Sequence, residues 1–345
     1  MQLDSRQNII LGSLPLFSFF FMEDHPMILK KTSTQKSSPP LSVQHVTGYV
    51  FEDACMGYEL DFGHPESPER LAAIKAKMAQ TGLDKKVLRL SPLDDVVHHI
   101  RKIHTDGHIK SIQGIRTIGP IAELAVGGAL AAVKAVCEGT ARNAFCAMRP
   151  PGHHALNTGQ EEGFCFYNNV AIAAKYAQQV CKKPKILIVD WDFHHGNGTE
   201  AAFYTDPTML YFSTHYALAY PGTGFPEREG EGAGRGFNIN VHMPAGSGDE
   251  DFVKVFNDVL VPRADTFKPD FVFISAGFDG RADDKLGCFA ISDEGFAALT
   301  RIVMDIAHKH CGDRIVSVLE GGYTPEDLAG AVCAHMKTLL GYDPK

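Results

Sequence analysis

Eight short apolar runs, alternating with longer stretches of helical period, constrain this chain's fold more than anything else in it. They lie at Gly48–Glu52, Val87–Leu90, Ala144–Met148, Ile186–Trp191, Met209–Ser213, Phe237–Val241, Phe271–Ser275 and Ile315–Leu319. Helical segments fall between several of them. "SPERLAAIKAKMAQTG" (Ser67–Gly82) offers a serine N-cap, a proline in the first turn and a closing glycine. "AVGGALAAVKAVCEG" (Ala125–Gly139) and "NNVAIAAKYAQQV" (Asn168–Val180) are alanine-rich and amphipathic. "SDEGFAALTRIVMDIAHKH" (Ser292–His310) opens with a Ser-x-x-Glu-like cap whose glutamate falls one residue early. There is no internal repeat, and the alternation predicts one open, mainly parallel α/β sheet flanked by helices.

Ligands in such sheets gather beyond the carboxyl ends of the strands. Four of the runs are followed there by polar residues: "RPPGHHA" after Ala144–Met148, "DFHHGNG" after Ile186–Trp191, "AGFDG" after Phe271–Ser275 and "EGGYTPE" after Ile315–Leu319. That convergence marks a candidate active site. In "KILIVDWDFHHGNG" (Lys185–Gly198), ionisable groups follow directly on a buried-type strand, which is costly unless something pairs with them. Alternation along a strand would put Asp190, Asp192 and His194 on one face. A carboxylate and an imidazole are two-thirds of a catalytic zinc site, and Asp279 ends a neighbouring strand where it can complete the three. Helix capping or pairing with arginines explains neither the second acid nor the adjacent histidine.

The tandem His153 and His154 follow a rigid Pro-Pro-Gly turn. Imidazole titrates near neutral pH and can take a proton from water and return it to a leaving group. Asp190 and Asn197 are available to orient the two rings. Tyr323 follows Gly321-Gly322, where a phenol hydroxyl can donate to a developing oxyanion, although a Gly-Gly-Tyr turn alone is commonplace.

Composition narrows the function classes. A net charge of −8 and an isoelectric point near 6.0 exclude the basic footprint that duplex DNA requires, so no direct nucleic-acid partner is expected. Eight cysteines with no C-x-x-C pair read as reduced, mostly buried thiols of a cytoplasmic protein. "NIILGSLPLFSFFFM" is shorter than the ~20 residues that span a bilayer and lacks a basic flank, so no membrane association is expected, although the stretch leaves targeting open. With the polar "KKTSTQKSSPP" behind it, residues 1–44 read as a flexible extension before a domain over 45–345.

"RPPGHHA", "GFCFYNNVAIAA", "VDWDFHHGNGT", "YPGTG", "SAGFD" and "LEGGY", in this order over roughly residues 48–340, resemble the zinc-dependent histone deacetylase superfamily. The likeness is to its class II branch and to bacterial deacetylase-like amidohydrolases, relatives of the acetylpolyamine amidohydrolases. The resemblance implies a single arginase-like α/β domain around an eight-stranded sheet. It implies Zn2+ held by Asp192, His194 and Asp279, with His154 as general base and acid, His153 as its electrostatic partner, and Asp190 and Asn197 supporting them. Class I members carry aspartate where Asn197 stands, and the neutral amide disfavours imidazolium at His154. Tyr323 matches the tyrosine that stabilises the transition state. Gly163, Phe164 and Tyr220 match the acyl-lysine tunnel. Leu286 stands where a glutamate favours acetylpolyamines, and so leans towards acyl-lysine peptides. Cys165, beside the tunnel wall, reads as a quiet packed thiol. Arg70 matches either an arginine of the family's acetate channel or an ordinary helix-surface residue.

The resemblance further implies monovalent ions, K+ or Na+. One site would use Asp190, Asp192, the carbonyls of His194 and Thr214, and Ser213; a second would use Phe203, Asp206, Met209 and Phe237, mostly through carbonyl oxygens. The implied reaction is removal of an acetyl or longer acyl group from an acylated lysine in a protein or peptide, or from an acetylated polyamine, by metal-activated water with release of acetate. Two rivals remain on this fold. A dimanganese ureohydrolase wants a D-x-H-x-D run, which "DWDFH" does not supply. A non-catalytic acyl-lysine-binding scaffold predicts loss of the tyrosine or of a metal ligand, yet each is present.

Overall fold

The structure, a computed structural model, describes residues 46–342. The expected extension over residues 1–44 lies outside these. Eight strands form one sheet: β1 (Thr47–Val50), β2 (Leu88–Leu90), β3 (Asn143–Cys146), β4 (Ile186–Asp190), β5 (Met209–His215), β6 (Asn238–His242), β7 (Phe271–Ala276) and β8 (Ile315–Leu319). Their order is β2-β1-β3-β8-β7-β4-β5-β6. Every pairing is parallel, so the sheet is wholly rather than mainly so.

Continuous apolar runs suit strands covered on both faces. β4 and β7 fit this rule: Ile186–Val189 and Phe271–Ile274 are fully buried in the middle of the sheet. Helix Gly119–Cys137 packs on β1 and β3, and a Cβ at Gly128 would come within 3.1 Å of Val50, Cys146 and Met148. By length and hydropathy that helix could cross a membrane, but most of it is buried in the domain, as a core helix is. It begins six residues before the expected Ala125, because Gly119-Pro120 starts it without a side-chain cap. Helix Asp293–Cys311 opens on Ser292, whose Oγ accepts the amide hydrogen of Gly295 at 3.0 Å. No glutamate reciprocates; Asp249 instead receives the Ser292 amide and hydroxyl at 2.8 and 2.6 Å.

All eight cysteines are free thiols, and five are buried. Burial raises the Cys165 thiol well above its ordinary value, consistent with an inert packed role.

Candidate active site

The carboxyl ends of β3, β4, β7 and β8 meet. β4 stops at Asp190, so Asp192 and His194 lie in the bend beyond it, and strand alternation does not align the three residues as expected. Backbone-to-carboxylate bonds shape the bend instead. Asp190 Oδ1 accepts from the Asp192 amide at 3.2 Å, and Asp192 Oδ1 accepts from the His194 amide at 2.8 Å. Asp279, from the loop after β7, accepts the Phe193 amide at 2.9 Å. The outcome separates roles: Asp190 turns back towards His153, while Asp192, His194 and Asp279 bring one donor atom each within 4.8 Å of one another.

His194 Nδ1 lies 3.2 Å from Asp192 Oδ1 and 2.9 Å from Asp279 Oδ2. Burial and the neighbouring Asp192 push the Asp279 carboxyl up to about 7. Burial would depress His194, but its bonds to Asp192 and Asp279 outweigh that and raise it to about 10. Two buried carboxylates and an imidazole whose donor atoms lie this close offer the oxygen, oxygen and nitrogen ligands that suit a divalent cation such as zinc. Backbone closes the other side: Gly321 donates its amide hydrogen to Asp192 Oδ2 at 2.8 Å. A Cβ on Gly277 would fall 2.0 Å from that oxygen, and one on Gly321 would fall 2.3 Å from Asp279 Oδ2, so only glycine lets the chain pass this near.

The histidine pair sits beside the triad. His153 Nδ1 is 3.2 Å from Asp190 Oδ2, which also accepts the Tyr211 hydroxyl at 2.9 Å. Burial alone would lower His153, but Asp192 and Asp190 raise it well above the usual imidazole range. His154 Nδ1 is 2.8 Å from Asn197 Oδ1. Burial, with the charges of His153 and His194, depresses His154 well below its ordinary value, so it is a neutral imidazole able to accept a proton. Neighbouring rings thus take opposite protonation states because one faces a carboxylate and the other an amide.

Tyr323 is 4% exposed, and its ring meets Phe164 edge-on at 5.8 Å between centroids. Burial and the charges of Asp279 and Asp192 hold its hydroxyl protonated, as a donor. Arg70 is fully buried, which overturns the helix-surface reading: its Nε donates to the Gly322 carbonyl at 2.6 Å and its guanidinium lies 5.1 Å from the Tyr323 ring centroid.

A cavity of about 540 Å3 joins these groups to solvent, lined by His154, His194 and Tyr323 together with Gly163, Phe164, Tyr220 and Leu286. Gly163 and Phe164 both have positive φ, 52° and 70°, so the wall is a left-handed turn. Leu286 and Tyr220 are its more exposed members. Of the residues matched to monovalent ions, Ser213 lies in register beside Asp190 on β5, with its Oγ 2.9 Å from His215 Nδ1. The Thr214 hydroxyl is buried without a protein partner. Near Phe203 and Met209, the Asp206 carboxylate is bonded to Lys175 at 2.8 Å. The Phe237 carbonyl accepts the Tyr211 amide at 2.9 Å.

Sequence reasoning missed four contributors. Glu320 Oε2 accepts the amide hydrogens of Gly152 and His153 at 2.6 and 3.1 Å, tying the histidine turn to the turn that carries Tyr323. Its signal was an acid ending a buried strand, the same as at Asp190. Tyr211, which holds Asp190, gave no signal beyond strand periodicity. Glu161 and Glu162 line the cavity beside Gly163 and are legible only as charges in a loop.

A wholly parallel α/β sheet with an acidic, imidazole-bearing triad beyond its carboxyl edge defines the class: an arginase-like hydrolase fold with a candidate metal site. Residues 116–339 match the histone deacetylase domain. Over 297 residues the chain is 37% identical to a probable deacetylase of Archaeoglobus fulgidus, covering 81% of this chain and 82% of that one. It is 35% identical to histone deacetylase 15 of Arabidopsis thaliana and 38% identical to polyamine deacetylase HDAC10 of Mus musculus, covering 82% and 81% of this chain. It spans 54% and 45% of those two longer proteins. The crystal structure of the HDA15 HD domain superposes with a TM-score of 0.81 at 33% identity, covering 87% of this chain and 90% of that one. The chain belongs to the histone deacetylase family, whose named members are hydrolases of amide bonds.

Proposed function

We propose that this protein removes acetyl or other acyl groups from acyl-lysine side chains of proteins or peptides, releasing acetate from the acetylated substrate. The observation that carries this reading is that the neutral His154, the Tyr323 hydroxyl and the candidate metal ligand His194 line one cavity.

A zinc ion held by Asp192, His194 and Asp279 would supply Lewis acidity towards the acyl carbonyl and activate water at neutral pH. The protein's own groups do the rest. Phe164 and Tyr220 flank the linear acyl-amine arm and keep bulk water from it. His154 Nε2 takes the proton of the attacking water while Nδ1 is held by Asn197. The Tyr323 hydroxyl donates to the oxygen that gains charge in the tetrahedral state. His154 then returns its proton to the departing amine. The cationic His153 adds positive charge beside this developing anion and keeps His154 neutral until the water attacks. K+ or Na+ at the carbonyl-rich sites around Ser213 and Thr214, and around Phe203 and Phe237, would stiffen the loops that present these groups.

A second reading, an acetylated polyamine as substrate, is favoured by Glu161 and Glu162, two carboxylates lining the cavity where a distal ammonium would rest. The uncharged Leu286 on the same cavity favours the peptide. Parallel kinetics on acetyl-lysine peptides, longer acyl-lysines and acetylspermidine decide: the expected result is higher kcat/KM on acetyl-lysine peptides. Preference for acetylspermidine would replace this reading with the second.

A further inference from the structure

A cavity of about 600 Å3, larger than the acyl pocket, opens at the other edge of the sheet. Its lining includes Lys185, immediately before β4, Leu210 near the start of β5, and Phe237, immediately before β6, all at the amino ends of strands. The catalytic groups lie beyond the carboxyl ends, so at about 3.3 Å per residue the five-residue β4 alone separates the two sites by roughly 16 Å.

Three cationic side chains, Lys185, Arg235 and Arg263, line this cavity, and among the described residues no carboxylate does. All three are exposed, yet like charges gathered at one cavity are unexpected in a chain of net charge −8. Backbone anchors nevertheless hold two of them in place. Lys185 Nζ donates to the Phe267 carbonyl at 3.1 Å, and Arg263 Nη2 donates to the Gly236 carbonyl. Among the described residues neither has a carboxylate partner within ion-pairing distance, and Arg235 has only Glu229, at 3.9 Å. Each anchor uses one donor and leaves the others to point elsewhere. The opposite wall is apolar: Phe237 and Phe267 meet edge-on at 5.9 Å, with Pro207 and Leu210 beside them.

We propose that this basal cavity binds a nucleoside polyphosphate. The arginines take phosphate oxygens through paired N–H donors, Lys185 acts as a point charge, and the base rests on the Phe237 side. Phe267 belongs to the core, but the half-buried Phe237 packed on it offers a base an apolar face that an inorganic anion would not use. The site stands apart from the acyl pocket and does not depend on the reading of its chemistry.

Titration calorimetry on the full chain, with ATP, pyrophosphate and adenosine as separate probes, tests this. The comparison protein carries Lys185→Met with Arg263→Gln; glutamine retains a donor for the Gly236 carbonyl, and unchanged acetate release reports its fold. Should that double variant not fold, the exposed Arg235→Met replaces it. Saturable one-to-one ATP binding is expected, at least about tenfold weaker in the variant, and weaker again when salt rises from about 50 to about 200 mM. Absence of saturable ATP binding, or ATP binding equal in wild type and variant, overturns the proposal. Pyrophosphate binding as tightly as ATP overturns the nucleoside assignment.

Discussion

His154 Nδ1 lies 2.8 Å from the side-chain oxygen of Asn197, an acceptor that carries no charge. The pairing places the Nδ1 proton against the amide and leaves Nε2 free for catalysis. Burial and the charges of His153 and His194 lower the ring's proton affinity and outweigh Asp192 and the Asn197 hydrogen bond, which raise it. Asn197→Asp would put a carboxylate at that position and favour imidazolium. The basic form would then be lost at higher pH, so the acid limb of kcat/KM should move up by about one unit. An unmoved limb in a pH–rate profile would show that His154 is not the group titrating there.

Replacing Tyr323 with phenylalanine removes one donor and little volume. With the ring packing on Phe164 preserved, kcat should fall about 10²–10³-fold at nearly constant KM. His154→Ala should cost about 10²–10⁴-fold. Acetate release from an acetyl-lysine peptide measures both, and near-wild-type rates in either variant would refute the assignment.

Chelation should abolish activity and lower the melting temperature, with zinc restoring both. In the metal-free protein, Asp279→Asn should melt higher than wild type, since the substitution removes a carboxyl that burial and Asp192 already disfavour as an anion. The same variant should lose stoichiometric zinc on dialysis. Calorimetric melting with metal analysis reads both arms.

Glu320 carries two amide hydrogens of the histidine turn on one carboxylate oxygen. Glu320→Ala leaves both without an acceptor, at about 1–3 kcal/mol each, and should lower kcat while zinc content stays near one equivalent. Glu320→Gln keeps an acceptor and should retain more activity than the alanine variant. Equal activity in both would show that Glu320 does not position the turn.

His335 is fully buried between the Thr300 and Ser317 hydroxyls, at 2.7 and 3.0 Å, and burial lowers it from 6.5 to about 3. The unfolded chain therefore takes up this proton first as pH drops. The stability that goes with a neutral His335 is present above pH 6.5 and is lost progressively as pH falls towards about 3. His335→Gln should flatten that part of the pH dependence in urea unfolding; an unchanged slope would assign it to other groups.

The strands were legible to within two residues because a parallel sheet buried on both faces writes itself as continuous Ile, Val, Leu and Phe runs. The order in which β8 and β7 pass between β3 and β4 was not, since nothing in a run says which run it pairs with. The triad could be read from two motif ends, yet the reason Asp190 parts from Asp192 could not: it lies in where β4 stops and in which amides the carboxylates collect. Arg70 had two readings because an arginine in a first helical turn is usually solvated. Its burial is explained by the equally buried Glu66 carboxylate, 3.0 Å away, together with the carbonyls of Gly322 and Glu320, some 250 residues on in the chain.

Gly277 and Gly321 press bare main chain against the Asp192 and Asp279 carboxylates. The outer support of the triad is thus largely peptide, which substitution does not alter. An engineer seeking a different ion here would gain little from exchanging residues behind the ligands; the route of the two loops themselves would have to be redrawn.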